Sequence, residues 1–281
     1  MADKERWVTL LEELESLAAC GGGTYGVAAK NLSTGETLEL RAGEEFNTAS
    51  VIKVPLLVEV FRRAAMGTLD LDERLELRAE DTVGGAGLLK DFAPGLRPTI
   101  HDLCVAMIVI SDNMATNLLA TRVGIQAVNE GMQSLGLTRT TLNRLVTFQV
   151  PPKGQPEELG LSTPAEMLQL FELLAMGRVV SVEASREMVR ILSLQRDRLM
   201  IRRYLPDHYD SVSGKSDPEV ANKTGAISGV RNDVALLTFS DGRRWVLSIF
   251  SKHLQDRSWQ VDHQGELTIA RIARAIHAAW S

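Results

Sequence analysis

Ser50-Val51-Ile52-Lys53 stands where the chain changes character, and the fold is read from what lies on either side of it. Before it, residues 5–19 place Trp7, Leu10, Leu11, Leu14 and Leu17 at three- and four-residue intervals, the spacing of an amphipathic helix. The Gly21-Gly22-Gly23 run stops that helix. Two short strands are expected at 25–31 and 36–40, joined by a tight turn at Ser33-Thr34-Gly35. From Ser50 to about residue 200 the periodicity is helical, with helices expected over 50–67, 99–110, 114–122, 125–135, 163–176 and 182–195. Thr99 followed by Asp102 reads as a helix cap with an acidic first turn, and Thr163-Pro164 opens a helix with proline at its first position. Strand signals return at 234–239 and 244–250 around Asp241-Gly242, a hairpin cue. A last helix over 264–280 turns Leu267, Ile269, Ile272, Ile276 and Trp280 toward a core. The expected fold class is α/β (α+β). One antiparallel α/β lobe comes from both chain ends, 1–46 and 206–281, and an all-α lobe, 47–205, is inserted between them. Residues 148–161, rich in proline and glycine, are expected to form a long surface loop.

Bulk properties narrow the function. The 281 residues carry a formal charge of -5, which argues against a nucleic-acid partner. The basic cluster Arg196, Arg198, Arg202 and Arg203 is diluted by Asp197, Asp207 and Asp210 and reads as a solvated helix end. No window approaches the roughly 18 apolar residues that a membrane span needs, so no membrane partner is expected. The N-terminus lacks the basic, apolar, then small-residue order of a secretory leader; a cytoplasmic location is expected, or a secreted one if a leader was removed. Two cysteines, Cys20 and Cys104, without Cys-x-x-Cys suit a reducing compartment. The five histidines show no metal-ligand spacing, so neither a metal nor another cofactor is expected. Oligomeric state is left open.

Three short motifs carry chemistry. In Ser50-Val51-Ile52-Lys53, a helix starting near Ser50 puts hydroxyl and ammonium on neighbouring positions of one face. A serine hydroxyl is a poor nucleophile until a nearby base takes its proton, and a lysine can be that base. The alternative is an N-cap serine beside a surface lysine; the pair alone is expected about once by chance in such a chain. Ser111-Asp112-Asn113 follows an apolar stretch and offers a hydroxyl and a carboxamide, or else simply caps a helix. Lys223-Thr224-Gly225 lies at the entry to the C-terminal strands, where lysine and threonine can bind a carboxylate and glycine lets a ligand lie against the strand. Its alternative is a strand start with an exposed lysine. Each exact triplet is expected only about 0.03 times by chance, and the ordered set about once in ten thousand chains.

The set Ser-x-x-Lys, Ser-Asp-Asn and Lys-Thr-Gly is that of class A β-lactamases and penicillin-binding proteins, and the chain resembles this penicillin-recognising serine hydrolase family over essentially its whole length. The resemblance implies a β-lactamase/transpeptidase-like fold and a small-molecule or peptide amide or ester as substrate. It implies Ser50 as the acylated nucleophile, Lys53 as its base and Ser111 as the proton relay to the leaving nitrogen. Asn113 would hold the substrate amide, and Lys223 and Thr224 its carboxylate, with Gly225 beside them. The backbone N–H groups of Ser50 and Ala226 would form the oxyanion hole, and Arg231 would assist with the carboxylate.

The chain also departs from that family. Class A enzymes carry a glutamate, in a Glu-x-x-Leu-Asn setting, that activates the water releasing the acyl group. Here Leu142-Asn143-Arg144 matches the approach to that loop and Ser162-Thr163-Pro164 its exit, but the glutamate position falls on Val146 or Thr147. Glu157 and Glu158 come about ten residues too late and read as solvated loop carboxylates. General-base assistance is worth about 10²–10⁴ in rate, so acylation is expected and slow release with it. Cys104 falls where some class A enzymes have half a disulfide, but the partner position is Leu57, so a buried free thiol is expected. A D-Ala-D-Ala-type peptidase or transpeptidase, an esterase, and an acylated sensor or binding module remain alternatives.

Overall fold

A computed structural model of the chain describes residues 2–150, 152–154, 156–206 and 217–281. In chain order the elements are α1 (Ala2–Cys20), β1 (Thr24–Asn31), β2 (Thr37–Leu40), β3 (Phe46–Asn47), α2 (Lys53–Ala65), α3 (Ile100–Val109), α4 (Asn113–Val123), α5 (Ile125–Ser134), β4 (Thr141–Leu142) and β5 (Gly160–Ser162). They continue with α6 (Pro164–Ala175), α7 (Val182–Ser193), β6 (Glu219–Ile227), β7 (Val230–Thr238), β8 (Arg244–Lys252) and α8 (Gln264–Trp280). The chain divides into two compact units: Met1–Val51 with Thr163–Glu172 and Asp197–Ser281, and Ile52–Ser162 with Leu173–Arg196. Relative to the expected lobes, 47–51, 163–172 and 197–205 belong with the chain ends rather than with the helical insert.

The first unit is built on a sheet of order β2-β1-β8-β7-β6, every pairing antiparallel. Alternation along β1 sends Tyr25, Val27 and Ala29 into one core. Leu10 and Leu14 of α1 and Ile269, Ile272 and Ile276 of α8 join them there, since these recur at helical spacing on one stripe. Leu267 is only half-buried; Thr268 and Ile269 take the inward positions beside it. Trp280 closes the end of this core edge-on to Trp245 (5.4 Å between centroids) and Trp7 (6.3 Å). The Asp241-Gly242 turn is as expected, with Gly242 at φ 90° and its N–H bonded to Phe239 O. Strand β6 differs: it begins at Glu219, so Lys223-Thr224-Gly225 lies mid-strand rather than at its entry. A turn at Ser228-Gly229, with Gly229 at φ 76°, joins it to β7.

The second unit packs α2, α3, α4, α5 and α7 together and adds the short β4–β5 pair. Thr99 caps α3 as expected, in a reciprocal box with Asp102. Helix 50–67 is shorter than its periodicity suggests: a 3-10 turn, Ala49–Ile52, precedes the α-helix that runs to Ala65. Strand β5 takes the end of the expected 148–161 loop, of which residues 151 and 155 lie outside the described residues. Cys104 is buried and free, Leu57 is buried as well, and burial pushes the Cys104 thiol pKa up. Among the described residues no helix is long and apolar enough to cross a membrane, and no cluster of His, Cys, Asp or Glu is placed to hold a metal ion.

Candidate active site

Ser50 lies in the 3-10 turn, half-buried between Ala49 (2% exposed) and Val51 (0%), and is not the helix cap. That position belongs to Ile52, whose side chain caps nothing. The first N–H groups of α2 therefore have no side-chain cap, and the positive end of the helix opens just beyond Ser50. Pro55 fits here because the first helical turn has no intrahelical acceptor for its missing N–H. The preceding residue is strained. Ala49 has φ 46°, a left-handed conformation that costs an L-residue about 1–2 kcal/mol. It is held by Asn47 Oδ1, which accepts from Ala49 N at 2.9 Å, while Asn232 Nδ2 of β7 donates to Asn47 O at 2.8 Å.

Strand β6 runs against this turn, backbone on backbone. A Cβ built on Gly225 would stand 2.6 Å from Thr48 O and 3.1 Å from both Ser50 N and Val51 N. The glycine therefore makes room first for the chain's own Thr48–Val51 backbone, not for a ligand, as the sequence had suggested. The N–H of Ser50 thus lies beside the strand position that precedes Ala226. In the described sheet β6 is also an edge, and edge strands present backbone groups to whatever lies alongside.

Lys223 is fully buried rather than exposed, and its Nζ donates to Thr224 O at 2.7 Å. Burial lowers its pKa to about 8 even though Asp197 and Asp233 favour its charge. Asp233 is pushed up to about 7, again by burial; its oxygens accept from Asn222 Nδ2 (2.9 Å) and Ile201 N (3.0 Å). Thr224 is 6% exposed. Arg231 does not have the role expected of it. Its Nε donates to Glu266 Oε1 at 2.8 Å, Nη1 to the carbonyls of Ile227 and Val230, and Nη2 to Ser258 O. With its guanidinium 4.5 Å from the Trp259 ring centroid, it ties the β6–β7 turn to α8. Four of its five N–H donors are thereby engaged within the fold.

The second unit carries Lys53 and the Ser111-Asp112-Asn113 triplet. Lys53, 0% exposed, donates from Nζ to Ser111 O (2.7 Å), Ser111 Oγ (3.0 Å) and Asn113 Oδ1 (2.9 Å). A surface lysine is thereby excluded: the nitrogen is buried among polar partners. Ser111 has φ 56°, the turn that brings its carbonyl and hydroxyl to the same nitrogen. Asp112 does cap α4, accepting from Ala115 N at 2.9 Å, as the capping reading expects.

Sequence reasoning missed the loop that braces this triplet. Asp112 Oδ2 accepts from Leu88 N (2.7 Å) and Leu89 N (2.9 Å), and Asn113 Nδ2 donates to Gly84 O at 3.0 Å. A Cβ on Gly87, at φ 106°, would fall 2.2 Å from Asp112 Oδ2. Gly84-Gly85-Ala86-Gly87 was the available signal, a glycine-rich run where a backbone must pass close to something. Asn117 was missed too: its Nδ2 donates to Val146 O (2.9 Å) and its Oδ1 accepts from Val146 N (2.8 Å). Val146 is thus fixed in place and half-buried, with an aliphatic side chain. Glu157 is exposed and Glu158 half-buried; the Glu158 and Leu159 carbonyls lie opposite Asn143, at the foot of the loop.

Comparisons with known proteins give the family and the fold. A family model described as the β-lactamase enzyme family matches residues 9–280. A β-lactamase of Rhodobacter capsulatus is 26% identical over 267 residues, covering 91% of this chain and 84% of that one. Among solved structures, the β-lactamase of Sphaerobacter thermophilus superposes with a TM-score of 0.86 at 33% identity over 97% of each chain. A variant of the last common ancestor of Gram-negative bacteria class A β-lactamase gives 0.84 at 29%, over 97% of this chain and 98% of that one.

Proposed function

The chain belongs to the β-lactamase enzyme family, and from that premise we propose that it is a serine hydrolase whose Ser50 is acylated by β-lactams or similar amides and releases the acyl group slowly. The observation that carries the acylation half is Lys53, fully buried with its nitrogen on Ser111 Oγ, Ser111 O and Asn113 Oδ1. Ser50 Oγ attacks the amide carbonyl carbon, and its proton passes to the lone pair of Lys53 in its neutral amine form. The C–N bond then breaks, and the leaving nitrogen receives its proton through Ser111, which leaves an ester on Ser50. Asn113 holds the substrate amide, and Lys223 and Thr224 bind its carboxylate. The N–H groups of Ser50 and Ala226 stabilise the oxyanion, a role supported by the close approach at Gly225.

Release requires water and a base to activate it. Val146, clamped by Asn117, and Thr147 offer no carboxylate; Glu157 is exposed, and Glu158 is half-buried with its carbonyl accepting from Asn143 Nδ2. The lactamase, peptidase and sensor readings share the acylation step and part at this one. Benzylpenicillin treatment followed by peptide mapping tests the acylation. The adduct is expected on the peptide carrying Ser50 and is expected to be missing in Ser50→Ala. A label elsewhere overturns the assignment.

The Lys223 role has its own signature. The ammonium is charged below about pH 8 and neutral above it. The KM for benzylpenicillin is therefore expected to rise above that pH, approaching about tenfold per unit. An ester substrate without a carboxylate is expected to show no such rise. A flat KM for benzylpenicillin between about pH 7 and 9.5 would contradict carboxylate binding by Lys223.

A further inference from the structure

We infer that Phe148 is a specificity-determining residue: its exposed ring is the platform for an apolar, aromatic side chain carried on the substrate amide that Asn113 holds. The inference rests on the acylation reading above and deepens it. Phe148 is 71% exposed, although burying such a side chain is worth roughly 1.5–3 kcal/mol. Its position is set locally, because Asn117 grips the backbone of Val146 two residues earlier and Thr147 Oγ1 accepts from Gln149 N at 3.1 Å. The ring lies on the glycines of the bracing loop. A Cβ on Gly84 would meet Phe148 Cε2 at 3.7 Å, an ordinary contact. A Cβ on Gly85 would meet Phe148 Cζ at 2.7 Å and Asn113 Nδ2 at 2.8 Å. Ring and carboxamide therefore flank one glycine, and these two atoms are no more than about 5.5 Å apart, the sum of those distances.

Asn113 completes the geometry. Its Oδ1 is taken by Lys53 and one Nδ2 hydrogen by Gly84 O, which leaves the second Nδ2 hydrogen for a ligand carbonyl. The Gly84–Gly87 segment contributes nothing larger than the Ala86 methyl, so it builds no wall of its own against a bound acyl group. An aromatic ring within a few ångströms of that hydrogen supplies one. A phenyl group one or two bonds beyond the carbonyl reaches the ring and covers it, removing apolar area from water on both partners.

The test compares benzylpenicillin with 6-aminopenicillanic acid, which shares the ring system and carboxylate but lacks the acyl side chain. Second-order rate constants for acylation are measured on the intact protein and on Phe148→Ala. The intact protein is expected to favour benzylpenicillin. Phe148→Ala is expected to lose roughly tenfold on benzylpenicillin and less than about twofold on 6-aminopenicillanic acid, the loss of one apolar contact. Phe148→Leu, which keeps apolar area without the flat face, is expected to fall between. Equal losses on both compounds, or none on either, would overturn the platform while leaving acylation intact. Absence of any adduct from the intact protein with either compound overturns the acylation reading itself, and the platform with it.

Discussion

Replacing Lys53 by alanine is expected to slow acylation of Ser50 by about 10²–10⁴-fold, the usual worth of a positioned proton acceptor. The expectation rests on where the lysine is. It is 0% exposed, one residue beyond the 3-10 turn that carries Ser50, and its nitrogen bonds the Ser111 hydroxyl expected to pass the proton on. Truncation also strands Ser111 O and Asn113 Oδ1, and unpaired buried acceptors cost about 1–3 kcal/mol each. A lost fold could therefore mimic a lost reaction. Ser111→Ala separates the two, because it leaves Lys53 bonded to Ser111 O and Asn113 Oδ1 while removing the relay. Both variants are compared by stopped-flow acylation and by thermal melting. Native acylation rates in either folded variant would refute the role assigned to that residue.

Introducing a carboxylate at residue 146, where the proposed slow release calls for a base, is expected to have a comparable effect in the opposite direction. Val146→Glu should shorten the lifetime of the Ser50 ester by about 10²–10⁴-fold, since the carboxylate supplies the base that water activation lacks. The position suits the substitution: Asn117 fixes both the N–H and the carbonyl of residue 146 through its side chain, and neither bond depends on valine. Glu157→Gln and Glu158→Gln are expected to leave the lifetime of the wild-type ester as it is. If either prolongs it, the loop glutamates already act as the base and slow release has another cause. The readout is the half-life of the covalent adduct after excess penicillin is removed.

Much of the molecule could be read from local pattern alone. The helices of the second unit follow apolar spacing, the Thr99 box announces α3, and Asp241-Gly242 announces the β7–β8 hairpin. The motif residues Ser50, Lys53, Ser111, Asn113 and Lys223 were legible because their chemistry demands fixed types at fixed spacing. What was not legible depends on burial of polar groups. Strand β6 reads only as a strand entry at Lys223 because Asn222, Lys223 and Thr224 are polar, yet all three are buried, and only tertiary packing decides that. Gly225 was read as space for a ligand, whereas the nearest matter is the backbone of Thr48–Val51, from a distant part of the chain. Arg231 illustrates the same limit. The resemblance implied help with a carboxylate, but Glu266, far along the sequence on α8, engages it. The brace of Gly84–Leu89 around Asp112 was hidden for the opposite reason: glycines announce a close approach without naming the partner.

The central claim is that Ser50 is acylated and that nothing in the loop hastens its release. It is tested most directly by intact-mass spectrometry over hours after one exposure to benzylpenicillin. A single adduct per chain, localised to Ser50 and still present after hours in penicillin-free buffer, is the predicted result. No adduct on a folded protein, or a return to native mass within seconds while product accumulates, would contradict it.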